Sequence, residues 1–120
     1  MNEQFKDKVI IVTGSTQGSG AETARLLASR GAKAITICGR QENKGLEVKN
    51  QIEKLGTECL YIKADLKNVD DCKKIVLETD KKFGTINSLI NVFKEWLSEY
   101  DLASLDAIFV SRILFVSVFK

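Results

Sequence analysis

Val9-Ile10-Ile11-Val12-Thr13-Gly14-Ser15-Thr16-Gln17-Gly18-Ser19-Gly20 sets an apolar run against a loop that packs three glycines into seven residues. The run 9–12 is short, continuous and β-branched, the composition of a strand buried on both faces. Past the loop, Ala21, Ala24, Leu27 and Ala28 return at helical spacing until Gly31. The glycines therefore stand where a buried strand hands the chain to a helix. A strand, loop and helix in this order form the first half of a parallel crossover unit.

Working outward from that unit, the same alternation repeats. Residues 34–38 are a second β-rich run, and Val48, Ile52 and Leu55 mark an amphipathic helix ended by Gly56. Residues 59–62 make a third strand. Asn68 is a candidate N-cap with Asp70 and Asp71 in the first turn, followed by Cys72, Val76, Thr79 and Phe83 at helical spacing up to Gly84. Residues 86–90 are a fourth strand. The fold class is α/β: with right-handed crossovers, about four such strands make a partial doubly wound parallel sheet of Rossmann type. Residues 1–120 are expected to form one such domain, incomplete at its end, with 92–120 divergent. Residues 92–100 could be a short helix around Phe93, Trp96 and Leu97. Residues 107–119 are apolar on nearly every side, and periodicity leaves helix and strand both open there.

Composition narrows the setting. The chain has 120 residues, 44% apolar and 28% charged, which is ordinary for a globular protein and unlike a disordered one. A net charge of +2 with bases scattered among acids gives no stripe for nucleic acid. Cys38, Cys59 and Cys72 form no CxxC pair, and histidine is absent, so buried reduced thiols are expected in place of a disulfide framework or a zinc site. Residues 1–8 carry both charge signs and lead into only four strongly apolar residues, unlike a secretory signal. Residues 107–119 are interrupted by Ser111, Arg112 and Ser117 and fall short of the roughly 20 residues of a membrane span. No membrane contact and a cytoplasmic location are expected.

The loop itself suits an anion. Backbone amides at a helix N-terminus carry partial positive charge, and only glycine lets the main chain come close to a phosphate. Glycine also serves any tight strand-to-helix turn, so the triplet alone leaves a purely structural role open. A Gly-Lys-Ser/Thr sequence is missing, which argues against a triphosphate loop. The spacing Thr13-Gly14-x-x-x-Gly18-x-Gly20 resembles the TGxxxGxG signature of the short-chain dehydrogenase/reductase family. Ala64-Asp65-Leu66 and Gly84-x-Ile86-x-x-Leu89-Ile90-Asn91 are similar to two further motifs of that family, so that the likeness covers residues 7–91. It implies NAD(P)-dependent oxidation of alcohols or reduction of carbonyls on a Rossmann fold. It also implies cofactor contacts from Gly14, Ser15, Gln17, Gly18, Ser19 and Gly20 in the loop, an adenine contact from Asp65 with Leu66, and Asn91 near the nicotinamide side. Strand-end, helix-entry and turn roles are the structural alternatives for Asp65, Leu66 and Asn91.

Cofactor choice turns on the end of the second strand, where a carboxylate would hold the ribose hydroxyls of NAD and repel a 2′-phosphate. This chain has Gly39-Arg40 there. A guanidinium can fork onto a phosphate, so NADP(H) is favoured over NAD(H), with a solvated surface arginine as the plain alternative. Gln17 stands where NADP-preferring relatives often carry a basic residue, and Ser19 stands where the family prefers an apolar residue between the last two glycines.

The family's catalytic serine and its YxxxK pair have no counterpart in these residues. Tyr61 and Tyr100 are followed four residues later by Asp65 and Ser104. Where the family continues Asn-Ala-Gly, this chain reads Asn91-Val92-Phe93-Lys94, and Ser111 or Arg112 stands where an active-site asparagine is expected. The expectation is an NADP(H)-binding portion of a reductase that is inactive alone. The alternative is a non-catalytic nucleotide-binding or partner-docking module, with self-association or docking through residues 108–119. A methyltransferase using S-adenosylmethionine is disfavoured, because no acid follows the second strand to hold its ribose.

Overall fold

The computed structural model describes residues 4–14, 18–91 and 114–117, and only the backbone of 19, 91 and 114–117. The elements run β1 (Val9–Thr13), α1 (Gly18–Ser29), β2 (Ala34–Gly39), α2 (Glu42–Lys54), β3 (Glu58–Lys63), α3 (Val69–Phe83), β4 (Ser88–Asn91) and β5 (Leu114–Ser117). They form one parallel sheet in the order β3-β2-β1-β4-β5. The α/β class and Rossmann-type sheet expected from the sequence are present.

Alternation along the strands builds a layer on each face. Ile10, Val12, Ile35, Ile37 and Cys59 pack with Ala21, Ala24, Leu27, Val48 and Ile52 of α1 and α2. Ile11, Cys38, Ile62 and Leu89 pack with Cys72, Ile75 and Val76 of α3 on the other face. All five residues of β1 are buried, as a continuous apolar run in a doubly covered sheet requires.

The helix ends follow the sequence signals. The Asn68 side chain accepts a hydrogen bond from the Asp71 amide at 3.1 Å, so it caps α3 as its position implies. Gly84 closes the same helix in the left-handed conformation at φ 78°, which a residue with a Cβ adopts only with strain.

The sheet goes one strand further than the four strands read from the sequence. Leu114–Ser117 pairs with β4 from Ser88↔Leu114 to Asn91↔Ser117. The backbone of this apolar segment finds its hydrogen bonds on the β4 edge, which a local period cannot reveal. The rest of 108–119, expected to self-associate or dock, and the short helix expected over 92–100 lie outside the described residues. No helix among the described residues is long and apolar enough to cross a membrane.

Candidate functional site

Because the strands are parallel, the C-terminal ends of β1, β2, β3 and β4 share one edge of the sheet. The chain winds from β1 outward to β3 and then returns to β4 on the other side of β1. In doubly wound sheets the ligand crevice forms outside the strand ends at such a reversal, which here is the edge beyond Thr13 and its register partner Asn91. Thr13 is fully buried, and its hydroxyl donates a long hydrogen bond, 3.5 Å, to the Ile90 carbonyl on the neighbouring strand.

The glycine loop leaves β1 at this point. Gly14 takes φ 62° and Gly18, the first residue of α1, takes φ 59°. Both values lie in the left-handed region, which explains glycine at each position. Among the described residues, no atom lies within 4 Å of a Cβ placed on Gly18. Gly20 is buried against the sheet, where the absence of a side chain lets helix and strand approach. α1 has no acidic residue in its first turn, whereas α2 has Glu42 and α3 has Asp70 and Asp71. Its positive end is left without a carboxylate of its own, which suits a phosphate. A helix N-terminus that begins at glycine and carries no acid in its first turn fits the diphosphate of a dinucleotide. Ser15 and Gln17 lie outside the described residues, and of Ser19 and Asn91 only the backbone is described.

At the end of β2, Arg40 is exposed on the bend between Gly39 and α2. Cys38, one residue inside the strand, is fully buried. Burial pushes its thiol up to about 12, with the Gly14 backbone opposing and Cys72 adding to the rise. A buried, protonated thiol of this kind is a poor nucleophile at neutral pH.

Asp65 and Leu66 are more occupied than the sequence suggested. Asp65 Oδ1 accepts from the Lys67 amide at 2.9 Å, while the Asp65 amide donates to Asp71 Oδ2 at 2.8 Å. The side chain thus organises the turn into α3 and remains half-buried at the strand end. Leu66 is buried in the α3-side core, and its carbonyl receives the Cys72 thiol proton at 3.3 Å. The structure therefore places Gly14, Gly18, Gly20, Arg40, Asp65 and the Asn91 backbone along one edge, with Leu66 tucked beneath it.

One residue at this edge escaped the sequence reading. Tyr61, which has Asp65 and not a lysine four residues on, donates its phenolic proton to the Gly39 carbonyl at 2.8 Å. Burial, then the Glu42 carboxylate, then Cys38 hold that phenol above its ordinary value. No local pattern announces the contact, since β3 and β2 meet only in the folded sheet. Gly45 was the available signal: a glycine inside an amphipathic helix asks what lies against it.

A family model described as short chain dehydrogenase matches residues 8–93. Among curated proteins, the chain is 35% identical over 91 residues to 11-beta-hydroxysteroid dehydrogenase-like 4A of Arabidopsis thaliana, covering 75% of this chain and 30% of that protein. Among solved structures, it superposes on a dehydrogenase from Burkholderia cenocepacia with bound NADP at a TM-score of 0.70 and 27% identity, over 87% of this chain and 42% of the other. NAD+-bound xylitol dehydrogenase matches at a TM-score of 0.69 and 25% identity, over 72% of this chain and 33% of its own. The chain spans less than a third of the length of the curated relatives it matches.

Proposed function

Since the chain belongs to the short chain dehydrogenase family, whose model covers residues 8–93, we propose that it is the NADP(H)-binding portion of an oxidoreductase acting on alcohols or carbonyls. Gly14, Ser15, Gln17, Gly18, Ser19 and Gly20 cradle the diphosphate, Arg40 takes the 2′-phosphate, Asp65 and Leu66 border the adenine, and Asn91 lies toward the nicotinamide. The observation that carries this reading is the pairing of an acid-free α1 N-terminus with a β2 that runs out into an exposed arginine. A 2′-phosphate adds two negative charges beside that guanidinium, whereas the bare ribose of NAD meets no carboxylate on the Gly39-Arg40 step.

The bound nicotinamide supplies hydride-transfer chemistry, and these residues bind and orient it. The 120 residues contain no YxxxK pair, so proton transfer to a substrate oxygen has no tyrosine and lysine to carry it. The chain by itself binds cofactor without turnover. Cys38, Cys59 and Cys72 are buried thiols, which suits a reducing cytoplasmic setting.

Titrating the protein with NADPH and NADH and following nicotinamide fluorescence tests the reading. NADPH should bind more tightly, and Arg40→Asp should reverse or abolish the preference. Equal binding of both cofactors by the unaltered chain would refute NADP(H) selectivity, and steady oxidation of NADPH by a carbonyl substrate would refute the inactive reading.

A further inference from the structure

Arg40 sits on a turn whose backbone is clamped on both sides, and the clamp converges on Tyr61. On one side, the Gly39 carbonyl accepts two hydrogen bonds, from the Tyr61 hydroxyl at 2.8 Å and from the Ala64 amide at 3.1 Å. On the other, the Gln41 carbonyl accepts the Gly45 amide at 3.1 Å, tying the turn to the start of α2. The Tyr61 ring fills the space between these two anchors. A Cβ added to Gly45 would run into the ring at its Cε1, Cδ1 and Cζ atoms. Tyr61 stands opposite Ile37 in the sheet register, and its ring reaches along the strand from there to the carbonyl two residues further on. Side chains on strands lean along the strand in this way.

We propose that Tyr61 is a positioning residue for cofactor selectivity: its hydroxyl and ring hold the Gly39–Gln41 turn so that Arg40 presents its guanidinium at the 2′-position of the adenosine ribose. The inference rests on the NADP(H) reading of Arg40. Exposed arginine has many rotamers, and what restricts where its head group can reach is the placement of its own backbone. Freed of the phenol, the Gly39 carbonyl keeps one hydrogen bond from Ala64, so the sheet stays intact while the turn gains freedom.

The experiment measures dissociation constants for NADPH and NADH with the full chain and with Tyr61→Phe, Arg40→Ala and Arg40→Asp, alongside thermal melts. Phenylalanine retains the ring over Gly45 and removes only the hydroxyl. The expected result for Tyr61→Phe is a roughly three- to tenfold loss of NADPH affinity, the size of one hydrogen bond's worth of ordering, with NADH affinity unchanged. Its melting temperature should stay within about 5 °C of the parent. In an Arg40→Ala background the Tyr61→Phe effect should vanish, since the turn then has no guanidinium to place. A normal NADPH-to-NADH ratio in Tyr61→Phe, together with a collapsed ratio in Arg40→Asp, overturns the role of Tyr61 and leaves the cofactor reading standing. Equal losses for both cofactors in Tyr61→Phe make the residue merely structural and also overturn it. An unchanged ratio in Arg40→Asp overturns the cofactor reading, and this inference with it.

Discussion

Asn87 and Val9 hold each other by two reciprocal hydrogen bonds across 78 residues of chain. The Val9 amide donates to Asn87 Oδ1 at 2.8 Å, and the Asn87 amide donates to the Val9 carbonyl at 2.9 Å. The pair closes the bottom of the β1–β4 seam, immediately before the register Ile10↔Ser88 begins. The candidate site opens at the top of the same seam, so this staple sets the alignment of Thr13 with Asn91.

Val9 is fully buried, and its amide has nowhere else to turn if the Asn87 side chain is cut back. Asn87→Ala should cost about 1–3 kcal/mol of stability in urea denaturation, the penalty of a buried donor left unmade. Asn87→Asp keeps an acceptor and should lose less. Equal stability of Asn87→Ala and the parent would mean the staple is idle.

Thr36 and Thr79 link β2 to α3 through their hydroxyls, 2.8 Å apart and both fully buried. Thr79 also lies 2.6 Å from the Ile75 carbonyl, which can only accept. The Thr79 proton therefore goes to Ile75, and Thr36 donates to Thr79. Thr79→Val should strand the Thr36 proton and cost roughly 1–2 kcal/mol, whereas the Thr36→Val, Thr79→Val double variant should recover part of that loss. Strict additivity in a double-mutant cycle would contradict the pairing.

Removing the Asn68 cap should destabilise the entry to α3. Asn68→Ala deprives the Asp71 amide of its acceptor, with an expected cost of about 1 kcal/mol, and Asn68→Ser should restore most of it. Because Asp71 in turn accepts the Asp65 amide, hydrogen exchange at Asp65 should accelerate in Asn68→Ala. Unaltered exchange there would separate the cap from the strand-end turn.

Stability should fall in alkali. Burial raises the thiols of Cys38 and Cys59 from 9.0 to about 12 in the folded chain. The unfolded chain then releases these protons above pH 9 while the folded chain retains them, so the folded form loses ground as pH climbs from 9 toward 12. At pH 10 the loss should be on the order of 1 kcal/mol per thiol. Denaturation curves at pH 7 and pH 10 test the sign, and replacing both cysteines with alanine should flatten the difference. Iodoacetamide should label neither thiol in the native protein at pH 7.

What the sequence determined by itself was everything set by neighbours along the chain. The run 9–12 and the glycines after it announced a buried strand turning into a helix, and Gly14 and Gly18 do take the left-handed backbone that such a turn requires. Asn68 and Gly84 mark both ends of α3 in the sequence itself, because caps are made within one turn. Arg40 was legible as the residue beyond β2 for the same reason.

Only the tertiary structure decided which strands meet, and hence what surrounds those residues. The order β3-β2-β1-β4-β5 put Tyr61 beside Gly39, Asn87 beside Val9 and residues 114–117 on the β4 edge. It also seats the Leu66 side chain in the core on the α3 side of the sheet. Periodicity tells which side of an element is apolar, but the partner of that side, and of each buried amide, is chosen by packing and hydrogen-bond satisfaction over the whole sheet.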